Sequence, residues 1–458
     1  MRKIKKLPST LIMHRVAVSL LVLFPTLFAN PSSSHASSSP QWVKGEIIVG
    51  YKHTNPAERV RTAAVSSSVI KISRADDLKT KLKQLRSRPD VAYAAPNLIA
   101  HATGTWSPND PGIGKTAGAW SNTQWNFNKV GAQQAWFNLQ AANHPGGQGV
   151  KIAVLDSGIA YRDWGKFKRS PDFNTTIFSD PWDFVANNAY PLDREGHGTF
   201  SAGVIAESTN NNLYMSGLAW GATIMPVRVL DANGDGSALA IEKGIRWAAD
   251  HGAKVINMSL AFPPGTSIRS IPGIISGIDY ATNKGALVVA AAGNEHVNKV
   301  DYPAAYPKVL SVGATTERDC LADYSNWGTG LDLVAPGGGD DSAITGDSRC
   351  NTKIWNSRLI TQIGLDQSSS GSVLVPYRFV LLQEAGTSFA APHVAAAAAL
   401  LVASGKLGAN PTPANITARL LSTAKPTPVI MQGGKDHSRD YYGAGTLDVG
   451  RATNPLIP

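Results

Sequence analysis

The chain carries, at Gly386-Thr387-Ser388-Phe389-Ala390-Ala391-Pro392-His393-Val394, a glycine turn that leads through a serine into an apolar run. The run 394–403 has the length and composition of a buried helix. Ser388 would therefore lie at the N-terminus of that helix, where free backbone N–H groups and the helix dipole favour developing negative charge. A serine hydroxyl is a weak nucleophile unless a base lies beside it and a third group orients that base. Because a capped core helix has the same pattern, the function of Ser388 depends on partners elsewhere in the chain.

Patterns typical of strands and of helices alternate between residues 151 and 423. This alternation predicts an α/β fold, in which a mostly parallel sheet is covered by helices on both faces. Ligands of such folds bind at the carboxyl ends of the strands. The segment 337–384 is rich in Gly, Ser and Asp and interrupts the alternation, so we expect a surface insertion there. The predicted strands are 151–155, 223–229, 254–258, 286–291 and 309–312, and the predicted helices are 197–207, 237–250, 271–284, 387–403 and 413–423.

The N-terminal part of the chain consists of two segments with different composition. Residues 1–15 carry five basic side chains and no acid, and the apolar run 16–29 is too short to span a bilayer comfortably. This pattern predicts a secretory signal peptide over 1–36, cleaved after Ala36 or, as second choice, after Ala29, rather than a stable membrane anchor. Residues 37–105 are predicted to form a small α+β domain with strands at 43–51 and 91–95 and a helix at 76–86. An exposed linker at 97–111 makes this domain removable; an ordinary N-terminal domain that stays in place is the alternative.

Charge and cysteine content exclude several function classes. The net charge of +10 arises in the first 102 residues, because the rest of the chain has 27 basic and 28 acidic side chains. Residues 103–458 thus have a net charge near −1, which gives no support to a nucleic-acid partner. Cys320 and Cys350 are the two cysteines. In an exported protein such a pair favours a disulfide over a metal or redox site; two free thiols are the alternative.

Three further polar residues stand at predicted strand ends or helix starts. Asp156 directly follows a strand, where a carboxylate can orient a base. His197 lies between two glycines and opens a helix, so its imidazole can act as general base. Asn294 ends another strand, from which its side-chain amide can reach an oxyanion. Singly, each has an ordinary explanation: a turn aspartate, a helix-start histidine and a loop asparagine.

Together, in the order Asp, His, Asn and Ser, these residues resemble the subtilisin family of serine peptidases. The resemblance implies that Ser388 is the nucleophile, His197 the base and then the acid, and Asp156 the group that orients the imidazole. It also implies that Asn294 and the Ser388 backbone N–H bind the oxyanion. Family-like sequence runs from about 109 to 424, so 106–458 would be the catalytic domain and 37–105 an inhibitor-type propeptide. The matching motifs are Val154-Leu155-Asp156-Ser157-Gly158-Ile159, Gly196-His197-Gly198-Thr199, Ala292-Gly293-Asn294, the opening segment, and in the propeptide Gly45-Glu46-Ile47-Ile48-Val49 and Val91-Ala92-Tyr93.

The same resemblance implies a cleft that holds an extended peptide as an added strand. Its two edges would be Asp235-Gly236-Ser237 and Ser259-Leu260-Ala261, with Ala291, Ala292 and Gly293 forming part of the wall. Ala261 stands where the family usually has glycine, so its methyl group should narrow the pocket for the residue before the scissile bond. Asp301 would lie near the pocket floor with Glu295 as a second charge, which favours Lys or Arg before the cut.

The resemblance leaves a structural calcium open and requires no cofactor for the chemistry. Asn210, Asn211 and Asn212 resemble the calcium loop of the family and Asp172 its distant carboxylate, but Tyr214 occupies a position usually held by glycine. Two aromatic residues also depart from the family pattern. Phe200 follows the Gly-His-Gly-Thr motif in place of histidine, and Phe389 replaces the methionine beside the nucleophile.

The sequence therefore predicts a secreted serine endopeptidase, made as a self-processing precursor whose own propeptide is an intramolecular inhibitor. Its expected partners are protein or peptide substrates, with no nucleic acid and no stable membrane anchor, and we expect a monomer. A catalytically silent relative that binds peptides without cutting them is the alternative from another class. A lipid or ester hydrolase would need a Gly-x-Ser-x-Gly elbow and the chain order Ser, Asp, His, and neither surrounds Ser388.

Overall fold

A computed structural model describes residues 42–52, 67–73, 77–98, 104–353, 357–367 and 377–457. The chain divides into two compact units, residues 1–101 and 102–458. The predicted signal peptide lies outside the described residues, as do residues 99–103 of the predicted linker. Within the described part of the chain, no helix has both the length and the apolar character needed to cross a membrane.

The described residues of the N-terminal unit form a three-stranded antiparallel sheet and one helix. Strand β1 is central, between β2 and β3. A small core forms where Leu85 of the helix packs with Ile47, Val49, Val91 and Ala94. The helix begins later than predicted because the Asp77 side chain accepts from Thr80 N and caps it. The elements are β1 (Trp42–Tyr51), β2 (Ser67–Lys71), α1 (Leu78–Arg86) and β3 (Val91–Leu98).

The second unit is built on a parallel sheet, as predicted. Its described strands follow the order β11-β10-β9-β8-β4-β7-β5, with β6 also paired to β7. All residues of β8 to β11 are buried, which explains their continuous apolar runs. The sheet strands are β4 (Lys151–Asp156), β5 (Ile177–Phe178), β6 (Trp182–Asp183), β7 (Thr223–Arg228), β8 (Val255–Met258), β9 (Leu287–Ala291), β10 (Val309–Thr315) and β11 (Leu333–Pro336).

Helices cover both faces of this sheet. Strand β4 shows the division, because Ile152 and Val154 belong to one hydrophobic cluster while Ala153 and Leu155 belong to the other. The first cluster contains α8, in which 15 of 17 residues are buried, and the second contains α6 and α7. The α-helices are α2 (Trp120–Thr123), α3 (Trp125–Lys129), α4 (Ala132–Ala141), α5 (His197–Ala206), α6 (Ala238–Asp250), α7 (Pro272–Asn283), α8 (Thr387–Ala403), α9 (Pro413–Thr423), α10 (Ser438–Tyr442) and α11 (Val449–Thr453).

The segment 337–384 differs from the predicted surface insertion. It contains β12 (Ile360–Leu365) and β13 (Phe379–Glu384), which pair antiparallel outside the main sheet. Every residue of β12 is buried, and Ile363 N donates to Glu207 Oε1 just beyond α5, so the surface prediction is wrong for this strand. A disulfide joins Cys350 of the segment to Cys320. A second small hairpin consists of β14 (Met431–Gln432) and β15 (Lys435–Asp436).

Candidate active site

Ser388 is the second residue of α8 and is held in place by Ser259. Pro392, four residues further on, has no N–H with which to bond the Ser388 carbonyl in the helix. That carbonyl instead accepts from Ser259 Oγ at 2.6 Å. In return, Ser388 Oγ donates to the Ser259 carbonyl at 3.2 Å. A proline inside the helix thus ties the serine to the end of β8, and the hydroxyl must turn from Ser259 to transfer its proton elsewhere.

Asp156 and His197 form a hydrogen-bonded pair at the carboxyl end of the sheet. Asp156 is the last residue of β4 and is fully buried; its Oδ1 lies 2.8 Å from His197 Nδ1. His197 opens α5, is one quarter exposed, and lines the same groove as Ser259. Burial by itself lowers the pKa of the imidazole, but the carboxylates of Asp156, Glu195 and Asp193 outweigh burial and raise the pKa of His197 to about 9.

Asp193 links the end of β4, which carries Asp156, to the start of α5, which carries His197. It is fully buried, and its Oδ1 accepts from Ser157 Oγ at 2.9 Å and Gly196 N at 2.8 Å. Its Oδ2 accepts from Thr199 N at 2.9 Å and Thr199 Oγ1 at 2.6 Å. Asp193 therefore fixes the start of α5 against the end of β4, and with it the position of the imidazole.

The side chain of Asn294 is oriented by Thr387. Its Oδ1 accepts from Thr387 N and from Thr387 Oγ1, both at 2.9 Å. A backbone N–H can only donate, so the oxygen of this amide faces Thr387 and the NH₂ group is the free end. The Ser388 N–H lies in the first turn of α8, where backbone N–H groups have no acceptor within the helix. Two donors, the Asn294 NH₂ and the Ser388 N–H, thus lie together at the start of α8, 3.8 and 3.7 Å from the position that a Cβ would take at Gly386.

Phe200 and Phe389, the two aromatic residues at which the sequence differs from the resembled motifs, pack against each other. The Phe389 ring centroid lies 4.6 Å from that of Phe200 and 5.2 Å from that of His197. Phe200 is buried on the first turn of α5 and Phe389 on that of α8. This aromatic contact joins the helix that carries the histidine to the helix that carries the serine.

A groove of about 460 Å³ runs past His197 and Ser259. Its lining includes Gly234, Asp235 and Gly236 together with Ser259, Leu260 and Ala261, which brings together five of the six residues expected at the two edges. Ser237 is not part of this lining, because its hydroxyl accepts from Ala240 N and caps α6. Leu230, Ile241 and Phe262 add apolar surface, and Glu195 and Glu295 add charge.

Asp301 and Glu295 converge on Gly293, where β9 ends. Gly293 has φ +109°, and a Cβ there would lie 2.5 Å from Asp301 Oδ2 and 2.8 Å from Glu295 Oε2. Ala291 and Ala292, the two preceding residues, are buried. Asn326 Nδ2 donates to both carboxylates, at 3.0 Å to Asp301 Oδ2 and 2.7 Å to Glu295 Oε2. Glu295 is exposed in the groove, whereas Asp301 is 3% exposed.

Residues 147–445 match the family model described as the Subtilase family, which is more than half of the chain. The chain belongs to the subtilase family. It is a serine protease with an N-terminal prodomain, since residues 28–97 match the fervidolysin N-terminal prodomain. The motifs around Asp156, His197, Asn294 and Ser388 thus led to the family that the comparisons show.

Relatives of this subtilase are found among proteases of known name. The thermophilic serine proteinase of Bacillus sp. (strain AK1) is 33% identical over 377 residues, which cover 80% of this chain and 79% of the relative. Thermitase of Thermoactinomyces vulgaris is 33% identical over 305 residues, or 67% of this chain and 88% of thermitase. A solved structure of proteases from Pseudoalteromonas arctica PAMC 21717 has a TM-score of 0.58 and 26% identity, covering 76% of this chain and 99% of that one.

The expected calcium loop of this subtilase surrounds two buried carboxylates. Asp172 Oδ1 accepts from Asn211 Nδ2 and Oδ2 from Met215 N, both at 2.9 Å. Asp110 accepts from the backbone N–H groups of Asn210 and Asn211 at 2.9 and 3.0 Å. Burial raises the pKa of Asp172 to about 7, and the charge of Asp110 contributes to the rise. No ion pair of the described residues includes either carboxylate.

The donor chemistry at this loop fits calcium in part. Carboxylate and amide oxygens are ligands of hard cations, and two buried carboxylates without a cationic partner favour an ion. Asn212, by contrast, donates its N–H to Asn109 Oδ1, and Tyr214 is 40% exposed. Among the described residues, no group of three or more His, Cys, Asp or Glu side chains is arranged to hold a metal. An ion here would therefore depend on amide and backbone oxygens as well as on Asp110 and Asp172.

Several residues of the site were not predicted from the sequence. Asp193 holds the start of the helix that carries His197, and Thr387, Asn326 and Asp110 form hydrogen bonds with Asn294, Glu295 and Asn210, respectively. Gly234 lines the groove one residue before the predicted edge segment. Thr387 stands in the motif that contains Ser388, which is a usable signal, whereas Asp193 lies three residues before the motif that contains His197. Asn326 lies 31 residues from Glu295 and Asp110 lies 62 residues from Asp172, with no motif that connects them.

Proposed function

We propose that this subtilase is a secreted endopeptidase that hydrolyses peptide bonds through an acyl-enzyme on Ser388. The observation that carries the proposal is that His197, paired with Asp156, and Asn294 both contact the first turn of α8, which carries Ser388. Ser388 Oγ attacks the scissile carbonyl carbon and its proton passes to His197 Nε2. Asp156 stabilises the imidazolium, and the Asn294 NH₂ and the Ser388 N–H bind the oxyanion.

The second half of the reaction returns the enzyme to its starting state. The C–N bond breaks and the amine leaves with the proton of His197, so that the acyl group remains on Ser388 Oγ. Water then loses a proton to His197 Nε2 and attacks the acyl carbon, and the same two donors bind the second oxyanion. The proton returns to Ser388 Oγ as the carboxylic acid leaves. No cofactor takes part in these steps.

The enzyme is made as a precursor that processes itself. Residues 1–36 direct export, 37–105 form a propeptide that acts as an intramolecular inhibitor, and the cut falls between Ile99 and Asn109. The prodomain match over 28–97 supports the propeptide, and the polar linker supports the position of the cut. The mature enzyme acts as a monomer on protein or peptide substrates.

The specificity pocket prefers Lys or Arg before the scissile bond. The two carboxylates at Gly293 support this preference, because an ammonium or guanidinium group forms charge-assisted hydrogen bonds with them. Ala261, which is exposed beside the groove, limits the width of the pocket.

The enzyme also binds a structural calcium at Asp110, Asp172 and the loop 210–212. The ion would stabilise the loop and take no part in the chemistry.

One experiment tests cleavage and processing together. The wild-type precursor and its Ser388→Ala variant are purified, incubated with a mixed peptide library, and followed by mass spectrometry. We expect a new N-terminus between residues 100 and 109 and library cleavage only with the wild type. Asn294→Ala should process slowly and cleave peptides with kcat reduced roughly 10²- to 10³-fold, the loss known for one oxyanion donor of subtilisin itself. Equal cleavage by Ser388→Ala and wild type would contradict the mechanism, and a folded wild type without any activity would favour a silent peptide-binding relative.

A further inference from the structure

Glu295 and Asp301 are bound to one amide group whose orientation is fixed. Asn326 is fully buried, and its Oδ1 accepts from Glu295 N and Val297 N, both at 3.1 Å. Because backbone N–H groups can only donate, the NH₂ group must face the two carboxylates. It donates to Glu295 Oε2 at 2.7 Å and to Asp301 Oδ2 at 3.0 Å. The two acids are therefore held side by side.

The charge of this pair is not balanced by a neighbouring cation. No ion pair of the described residues includes either acid. The charge of Lys299 lowers the pKa of Asp301, but burial and Glu295 have larger effects in the opposite direction. Burial first, and then the hydrogen bond and charge of Glu295, raise the pKa of Asp301 to about 6. Two carboxylates on one amide group repel each other when both are ionised, so the pair takes up a proton at a higher pH than an isolated carboxyl does.

We propose that the Glu295–Asp301 pair of the free enzyme takes up one proton in mildly acidic solution, and that a Lys or Arg side chain before the scissile bond displaces this proton to water. The inference rests on the proposed preference for basic residues and adds that pH controls that preference. In charge terms, the free pair with its proton has charge −1. The bound pair has charge −2 beside a substrate charge of +1, so one proton leaves for each basic side chain that binds. When the proton stays on the pair, a neutral side chain before the scissile bond binds in a pocket of charge −1 rather than −2.

Matched peptides measure this effect without interference from His197. Two peptides that differ only in Lys or Met before the cut are compared with the mature enzyme between pH 5 and 9. The ionisation of His197 and the nearby charge of Glu195 affect kcat/KM for both peptides, so the Lys/Met ratio of kcat/KM cancels these contributions. We expect the Lys/Met ratio to be constant above about pH 7. Below the pKa of the pair it should fall roughly tenfold per pH unit, because each basic side chain that binds must displace one proton.

Two variants assign the effect to the pair. Glu295→Gln removes the like charge that raises the pKa of Asp301, so the fall in the Lys/Met ratio should move to lower pH while Lys remains preferred. Glu295 is exposed, so this change should not prevent folding. Asp235→Asn removes another carboxylate that lines the same groove and should leave the pH of the fall unchanged.

The outcomes separate this inference from the proposal on which it depends. A Lys preference with a ratio that is constant from pH 5 to 9 would overturn the proton uptake by the pair and leave the basic specificity in place. A ratio below one at every pH would instead overturn the basic specificity. A fall at the same pH in wild type and Glu295→Gln would assign the titration to another group and also overturn the inference.

Discussion

At the scale of single residues, acidic side chains near His197 set the pH range of the reaction. The imidazole is a general base only when it is neutral, and Asp156, Glu195 and Asp193 raise its pKa to about 9. We therefore expect kcat/KM to fall as the pH drops through this value. Glu195→Gln removes one of these negative charges while the amide oxygen can still accept from His197 N, as Glu195 Oε2 does at 2.7 Å. The acidic limb of kcat/KM against pH should move to lower pH, with roughly a two- to fivefold gain at pH 7.

The control for this prediction is an acid remote from the site. Glu317, which pairs with Arg358, is a suitable position, and Glu317→Gln should leave the limb unchanged. The pH profile of both variants and the wild type is measured on one peptide with a neutral residue before the cut. A limb at the same pH in all three enzymes would show that Glu195 does not act on the imidazole.

At the scale of elements, the helix α8 contains a histidine that must remain neutral. His393 is fully buried, with Nδ1 2.8 Å from the Phe389 carbonyl and Nε2 2.8 Å from Asn126 Nδ2. Since the carbonyl only accepts, Nδ1 carries the proton and Nε2 accepts from Asn126. Burial lowers the pKa of His393 from 6.5 to about 4. Between these two pH values, His393 therefore binds a proton in the unfolded chain but not in the folded protein.

This difference predicts a loss of stability in mild acid. The contribution of His393 is complete above pH 6.5 and decreases as the pH falls towards 4, by about 3 kcal/mol in the free energy of unfolding. Urea unfolding of mature enzyme inactivated by sulfonylation of Ser388 measures it without autolysis. His393→Gln, which does not titrate, should show a smaller decrease over the same range. An identical decrease in wild type and variant would assign the acid sensitivity to other groups.

The elements that the sequence predicted correctly are those with a complete local signal. Helices α8 and α9 have the predicted bounds, and β4, β7, β8, β9 and β10 differ by at most three residues at an end. The errors have a common cause. Strand β12 is buried because it packs beside α5, a long-range contact that its Gly- and Asp-rich surroundings do not indicate, and β5 and β6 have two residues each, too few for a periodic pattern.

The candidate site shows the same limit. Asp156, His197, Asn294 and Ser388 stand in local motifs, and the fold brings them together because parallel strands end at one edge of the sheet. Their supporting contacts join distant residues, such as Ser259 with Ser388 across 129 positions. The sequence shows that Pro392 has no N–H to donate to the Ser388 carbonyl. It does not show that Ser259 Oγ donates to this carbonyl instead.

At the scale of the whole molecule, an ion at Asp110 and Asp172 would connect distant parts of the catalytic unit. Asp110 precedes the first helices of this unit, and Asp172 lies between β4 and β5. Both accept from the loop 210–212, which follows α5. Fixing these three segments to one another stabilises the folded state only, so a bound ion raises the free energy of unfolding by mass action. It would also hold the C-terminal side of the helix that begins at His197.

Chelation tests this contribution. We expect EDTA to lower the melting temperature of the sulfonylated mature enzyme by roughly 5 °C, and calcium in excess of the chelator to restore it. Asp172→Asn should lower the melting temperature without EDTA and make it insensitive to the chelator, because the amide cannot replace the charge of a buried carboxylate ligand. Asp250→Asn, which removes an exposed acid paired with Lys284 at the end of α6, should keep the full response. A melting temperature that is the same with and without EDTA in the wild type would show that Asn211 and Met215 satisfy Asp172 by hydrogen bonds alone.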